Sequence, residues 1–290
     1  MTDITPTKTH RDENFPVASF LIAPQQRATI LAFYRFVRAA DDVADSSTLS
    51  AAEKVARLDR MEAGLLGDAD ASPEALTLRQ ALAARNLSPR HAQDLLTAFR
   101  TDATKLRYRD WDDLIDYCTY SAMPVGRFVL DVHGEDRRTW PASDALCAAL
   151  QIINHLQDCG KDYRSLDRVY IPLDVFERHH VNVGELGAAR ASPALKNCVR
   201  DLAARTRELL QDAAPFAMLI EDLRLALEVA VIQKLAMNLV GRLMRRDPLS
   251  ERVHHNPTEV ACLAAVAIAT ALPRRAVRRP VAAQRKTQDV

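Results

Sequence analysis

Two short acidic runs carry the strongest chemical signal in this 290-residue chain, DDVAD at 41–45 and DCGKD at 158–162. Side chains four apart share one face of a helix, so Asp41 and Asp45 point two carboxylates the same way, as do Asp158 and Asp162. Two such helices face to face could hold Mg²⁺, which takes a few carboxylates together with substrate phosphates and retained water. The alternative for each pair is a solvated acidic face. A third pair with this spacing, Asp112 and Asp116, falls in the first turn of its helix, where acids suit the macrodipole and need no further account. Asp41, Asp42 and Asp45 instead close their helix, where acids oppose the dipole and repel one another, and such a local violation marks functional sites. Arg35 and Arg38 place anion-binding groups just upstream. Around the second run, Gln151, Asn154, Asp158 and Asp162 form one stripe at intervals of three, four and four, on a helix otherwise built from Leu150, Ile152, Ile153 and Leu156. A stripe lacking Lys or Arg partners points to a polar cavity. His155 falls off that stripe and is expected to pack.

The elements that must carry these groups read as helices throughout. Apolar residues recur at helical spacing over 25–45, and further helices are expected over 51–66 and 73–86. Ser88-Pro89 looks like an N-cap followed by an N1 proline, for a helix to about Lys105. Asp110 or Asp112 opens another, which Pro124 should kink near Tyr120. Pro141 begins a helix through Asp162, and 163–176 reads as a loop leading into a short helix. Ser192-Pro193 starts a helix to about Asp212, Pro215 one to about Arg246, and Pro257 the last. No repeat or linker divides the chain, so one all-α domain over 1–272 is expected, followed by a basic, disordered tail over 273–290.

Composition narrows the chemistry. Glycine is scarce, 8 residues in 290, which disfavours hairpin-rich β folds and leaves no G-x-G-x-x-G turn or glycine-rich phosphate loop. Lys+Arg 39 against Asp+Glu 38 gives no basic excess for nucleic acid. Five cysteines without a C-x-x-C pair suit a reduced, cytoplasmic chain. The polar N-terminus has no signal-peptide core, and the 13-residue apolar run at 260–272 is short of the roughly 20 that span a bilayer.

Three blocks, AFYRFVRAADDVAD (32–45), DYCTYSAMPVGRFVL (116–130) and QIINHLQDCGKDYRSLDRVYIPLD (151–174), resemble the squalene/phytoene synthase family in order and spacing, up to about residue 245. Within it, ENFPVAS (13–19), SAMPVGR (121–127) and NHLQD (154–158) resemble the branch that forms hydroxysqualene in hopanoid biosynthesis. The resemblance implies an all-α isoprenoid synthase fold with a central cavity and Mg²⁺ as cofactor. It implies Asp41, Asp45, Asp158 and Asp162 as metal-binding acids with Asn154 assisting, Tyr34 and Arg38 on diphosphate, Gln151 lining the site and Tyr120 near a carbocation. The negative face of an aromatic ring suits that last role. Three departures stand out: Gln157 where the family commonly has Arg, ENFPVAS in place of a Ser-rich segment, and EVAVIQKLA (228–236) without a tyrosine.

The implied reaction starts from presqualene diphosphate: diphosphate leaves, the cation rearranges in a cavity lined by Phe33, Phe36, Tyr120 and Phe128, and water captures it. The rivals are a sister enzyme that condenses two prenyl diphosphates, and a non-catalytic scaffold on the same fold, which has no need to concentrate like charge. The stretch after Pro273 carries six Arg/Lys and one Asp. It is either a solubilising end or a contact with anionic lipid at the inner face of a membrane, where each basic residue gains roughly 1 kcal/mol. Contact with other enzymes of the pathway is a further expectation.

Overall fold

A computed structural model describes residues 24–285, with side chains as far as 273. ENFPVAS therefore lies outside the described residues. The elements are α1 (Pro24–Ala44), α2 (Ala51–Leu66), α3 (Pro73–Ala83), α4 (Arg90–Asp102), α5 (Trp111–Ser121), α6 (Met123–His133), α7 (Trp140–Leu166), α8 (Leu173–Arg178), α9 (Pro193–Asp212), α10 (Phe216–Leu219), α11 (Leu223–Leu243) and α12 (Pro257–Arg285). Among the described residues the only β pairing is an isolated parallel bridge between Arg107 and Val169.

Local chemistry sets most of the ends. Ser50 and Glu53 form a capping box at α2, and the hydroxyls of Ser72 and Ser192 cap α3 and α9 ahead of a first-turn proline. Several expected boundaries are corrected. The third helix stops at Ala83, three residues early. Pro89 is itself the N-cap of α4, with the Ser88 hydroxyl accepting from the Arg90 N–H at 3.2 Å. Pro124 breaks the helix instead of kinking it, because its ring cannot donate to the Tyr120 carbonyl and crowds it. The chain turns at Ala122 (φ −128°) and restarts as α6. The span from Pro215 divides into α10 and α11, since Asp222 leaves the helical conformation to cap α11. Helix α12 runs on through the start of the basic stretch, to Arg285.

Two cores result. One gathers α1–α4 with Phe128 and Val132 of α6, and the other gathers α5, α7, α9 and α11 with the segment that follows α7. α6 lies against α7 closely enough that a Cβ on Gly126 would stand 2.4 Å from Ser143 Oγ. Lying between Asp158 and Asp162, Gly160 reads in the sequence as a residue that loosens this helix end. It is instead buried mid-helix in α7, where a Cβ would meet Leu249 Cδ2 at 2.5 Å, so its role is close packing.

Asp247, 1% exposed, pins the chain after α11 to the start of α9. It accepts from the N–H groups of Ala191 and Leu249, each at 2.9 Å, and from the Ser250 hydroxyl at 2.8 Å. Burial alone would raise its pKa, but these bonds and Lys196 outweigh it and hold the carboxyl below the usual 3.8. A carboxylate depressed in the folded state stabilises above its unfolded pKa and loses that contribution as pH falls through the folded one. Asp247→Asn is therefore expected to cost about 2–3 kcal/mol at pH 7. In urea unfolding run across pH, the gap from the parent protein should close below pH 4.

Candidate active site

A cavity of about 500 Å³ opens along the seam between the two cores. Its walls are largely apolar, with Ile30, Phe33, Leu95, Leu146 and Val229 among them, and its acids gather at the C-terminal ends of α1, α4 and α7. The helix carrying Asp41 and Asp45 and the helix carrying Asp162 thus bring three carboxylates to one space, while Asp158, expected to join them, is not in the lining. Tyr34, Arg38 and Gln151 line the same cavity.

The acids are held by arginines. Arg38 donates from Nη1 to Asp41 (2.5 Å) and from Nη2 to Asp42 (2.6 Å), which offsets the unfavourable position of both at a helix C-terminus. Burial and then the nearby Asp45 charge push the Asp41 carboxyl up to about 7, despite Arg38. Burial, followed by Asp158, raises Asp162 likewise to about 7. The nearby arginines do not fully offset these like charges confined in a low-dielectric space, and a divalent cation would supply the remaining countercharge. Among the described residues no three His, Cys, Asp or Glu side chains form a metal cage. This donor set suits Mg²⁺, which is bound through one or two carboxylates plus phosphate and water and needs no all-protein cage.

The geometry departs from the sequence reading at several residues. Asn154 and Asp158 stand beside the cavity and not in its lining, with Asp158 Oδ1 3.9 Å from His254 Nε2. The polar side chains of α7 that line the cavity are Ser143, Cys147, Gln151, His155 and Asp162. His155 is accordingly a cavity residue as well as a packing one, stacked on Tyr170 with ring centroids 3.3 Å apart. Burial, with Arg168 nearby, lowers its pKa to about 3 and keeps the ring neutral. Tyr120 is 41% exposed and outside the lining, and Tyr117, one turn earlier on α5, occupies the wall instead. Phe33 lines the cavity, whereas Phe36 and Phe128 are core residues, the latter stacked behind Phe33 at 3.8 Å.

Three charged residues of the site were not anticipated. Arg168 is 6% exposed and donates to Asp45 Oδ1 at 2.5 Å and to the backbone carbonyls of Ala44 (3.1 Å) and Asp102 (3.3 Å). It is carried in by main-chain pairing, Val169 N–H to the Leu106 carbonyl and Leu173 N–H to the Tyr108 carbonyl, each 2.9 Å. Asp102 accepts from the Tyr117 hydroxyl at 3.0 Å, and burial raises its pKa to about 7 against the pull of Arg168. Glu228, 4% exposed, lines the cavity from α11. The available signal was a charged residue set in an apolar run, DRVYI for Arg168 and ALEVAV for Glu228.

A family model described as squalene/phytoene synthase matches residues 8–259. The chain belongs to the squalene/phytoene synthase family. Members similar to it include hydroxysqualene synthase of Rhodopseudomonas palustris, 59% identical over 92% of each chain. Another is hydroxysqualene synthase of Sinorhizobium fredii, 55% identical over 93% of this chain and 92% of that one. The crystal structure of squalene synthase HpnC from Alicyclobacillus acidocaldarius superposes with a TM-score of 0.71 at 30% identity, covering 82% of this chain and 90% of that one. A dehydrosqualene synthase, 20% identical with a TM-score of 0.77 over 89% and 92% of the two chains, shares the fold. The squalene/phytoene synthase fold is all-α, as the helical periodicity indicated, with the acidic rim at one end of its central cavity.

Proposed function

We propose that this squalene/phytoene synthase family member converts presqualene diphosphate to hydroxysqualene and diphosphate with Mg²⁺ as cofactor. The observation that carries this reading is an acid-and-arginine rim, Asp41, Asp45, Asp162, Arg38 and Arg168, on a cavity whose walls are largely apolar. The similarity to two hydroxysqualene synthases above 50% identity supports the choice of product.

Asp41, Asp45 and Asp162 would hold Mg²⁺, with Asp158 one turn from Asp162. Bound there, the metal supplies Lewis-acid neutralisation of the charge that develops on the departing diphosphate. Arg38 and Tyr34 bind the diphosphate oxygens from α1. The apolar walls hold the hydrocarbon chains and limit water, and the faces of Phe33 and Tyr117 stabilise the cyclopropylcarbinyl cation as it rearranges. The basic stretch of α12 is assigned to the anionic inner face of a membrane, into which the apolar alcohol is delivered. No helix among the described residues is long and apolar enough to cross that membrane.

Purified protein with Mg²⁺ and presqualene diphosphate, without reductant, should yield hydroxysqualene as the main C30 product by gas chromatography and mass spectrometry. Chelation with EDTA should abolish turnover, and Mg²⁺ should restore it. Consumption of farnesyl diphosphate alone, to give a C30 diphosphate or hydrocarbon, would establish the sister reaction instead. Failure to turn over either substrate, with the fold intact, would support a scaffold.

A further inference from the structure

An alcohol forms only if water meets the cation, so an apolar cavity must keep a polar anchor at the depth of the reacting carbons and few elsewhere. The breaking C–O bond lies just below the acids. On α7, His155 and Gln151 precede Asp162 by seven and eleven residues, about 10 and 16 Å along the axis. They are the first polar side chains of α7 to line the cavity beneath Asp162. Gln151 Nε2 and His155 Nε2 are 2.9 Å apart. An amide –NH₂ only donates, so the ring nitrogen accepts, Nδ1 carries the imidazole proton, and the amide oxygen turns away from the ring. Stacking on Tyr170, with planes 10° apart, fixes the ring and through it the amide.

We infer that the Gln151–His155 pair positions the water that captures the cation, an assignment that rests on the hydroxysqualene-forming reading above. Gln151 Oε1 accepts a hydrogen bond from the water and leaves an oxygen lone pair directed at the cation, and His155 is the positioning residue that holds the amide in this orientation. The water oxygen forms the new C–O bond, and the resulting oxonium gives its proton to the diphosphate whose C–O bond has already broken. No reductant or oxidant enters. Glu228 is the other buried polar group considered for this role, and its height argues against it. α11 begins beside Glu135, which accepts from the Glu221 and Asp222 N–H groups ahead of α7, whereas Asp158 lies beside His254 beyond the end of α11. The two helices therefore run in the same direction, with Glu228 near the end remote from the acids.

The test compares hydroxysqualene formed per diphosphate released, using the full chain, Mg²⁺ and presqualene diphosphate. His155→Phe keeps an aromatic ring on Tyr170 but removes the acceptor. Its ratio is expected to fall at least about tenfold, with C30 products of proton loss appearing in place of the alcohol. His155→Gln sets a terminal amide oxygen near the former Nε2 and should restore the ratio to within about threefold of the parent. An unchanged ratio in His155→Phe overturns the assignment. If that variant fails to fold by circular dichroism, Gln151→Leu decides by the same ratio, which should fall equally and overturns the assignment if it does not. A parent protein that releases diphosphate without any hydroxysqualene would instead overturn the proposed function, a result distinct from an unchanged ratio.

Discussion

Asp162→Asn is expected to reduce presqualene diphosphate turnover at saturating Mg²⁺ by on the order of 10²–10³-fold, about 3–4 kcal/mol of transition-state stabilisation. The same change should make the metal-free protein more stable. Asp162 shares the cavity with Asp41 and Asp45, and its neighbours Asp158 and Asp45 both act on it as like charges. A neutral amide of the same shape relieves that repulsion but ligates a hard cation poorly. A gain of about 1 kcal/mol, roughly 2–4 °C in Tm for a chain of this size, is expected without metal. Mg²⁺ should raise the Tm of the parent protein more than that of the variant, since a ligand stabilises only as far as it binds the folded state. Loss of both activity and metal-free stability would identify Asp162 as a structural group and contradict this placement. Opposite signs in the two measurements are the mark of a residue kept for function against local stability.

The second large effect is on Arg168. Arg168→Leu should destabilise the fold by about 1–3 kcal/mol, because it strips two buried backbone carbonyls of a shared donor and unpairs the half-buried Asp45. Asp45 would lose a 2.5 Å contact, and the carbonyls that close α1 and α4 would lose a shared donor. Turnover should fall as well, since Asp45 would no longer be held toward the cavity. Arg168→Lys should recover little of either. A guanidinium serves several acceptors in fixed directions, whereas one ammonium on a flexible stem reaches fewer of them. Urea unfolding of the three proteins gives the stability ranking. A Lys variant equal to the parent would show that charge alone matters at this position.

Much of the scaffold was legible before any coordinates. Helical periodicity, serine caps and prolines placed α2 at its observed ends and the starts of α3 and α9, because these signals act within one turn of chain. The strained position of Asp41, Asp42 and Asp45 at a helix end drew attention to them, and Asp41 and Asp45 line the cavity while Asp42 is buried beside Arg38; that Arg38, read as an anion-binding group, also pairs with Asp41 and Asp42 was not foreseen. Errors began where the outcome depended on a neighbour. Tyr120 and Tyr117 stand one turn apart on α5, and only the packing of α5 against α4, α6 and α7 decides which of them faces the cavity.

Asn154 and His155 differ by 100° around α7, so a small error in the assumed inward direction exchanges their roles. Gly160 read as a flexible point when the helix was considered alone, and became a packing point once Leu249 arrived from a distant segment. The sequence by itself determined an all-α chain and pointed to Asp41, Asp45, Asp162 and Arg38, which share one cavity, since helix periodicity and the clash of like charges with a helix dipole are local. Only the tertiary structure decided that Arg168, 123 residues away from Asp45, completes the rim, and that Asp102 and His155 line the same cavity. Burial, which sets both the electrostatics and the need for those partners, is a property of the packed molecule and is not encoded at any one position.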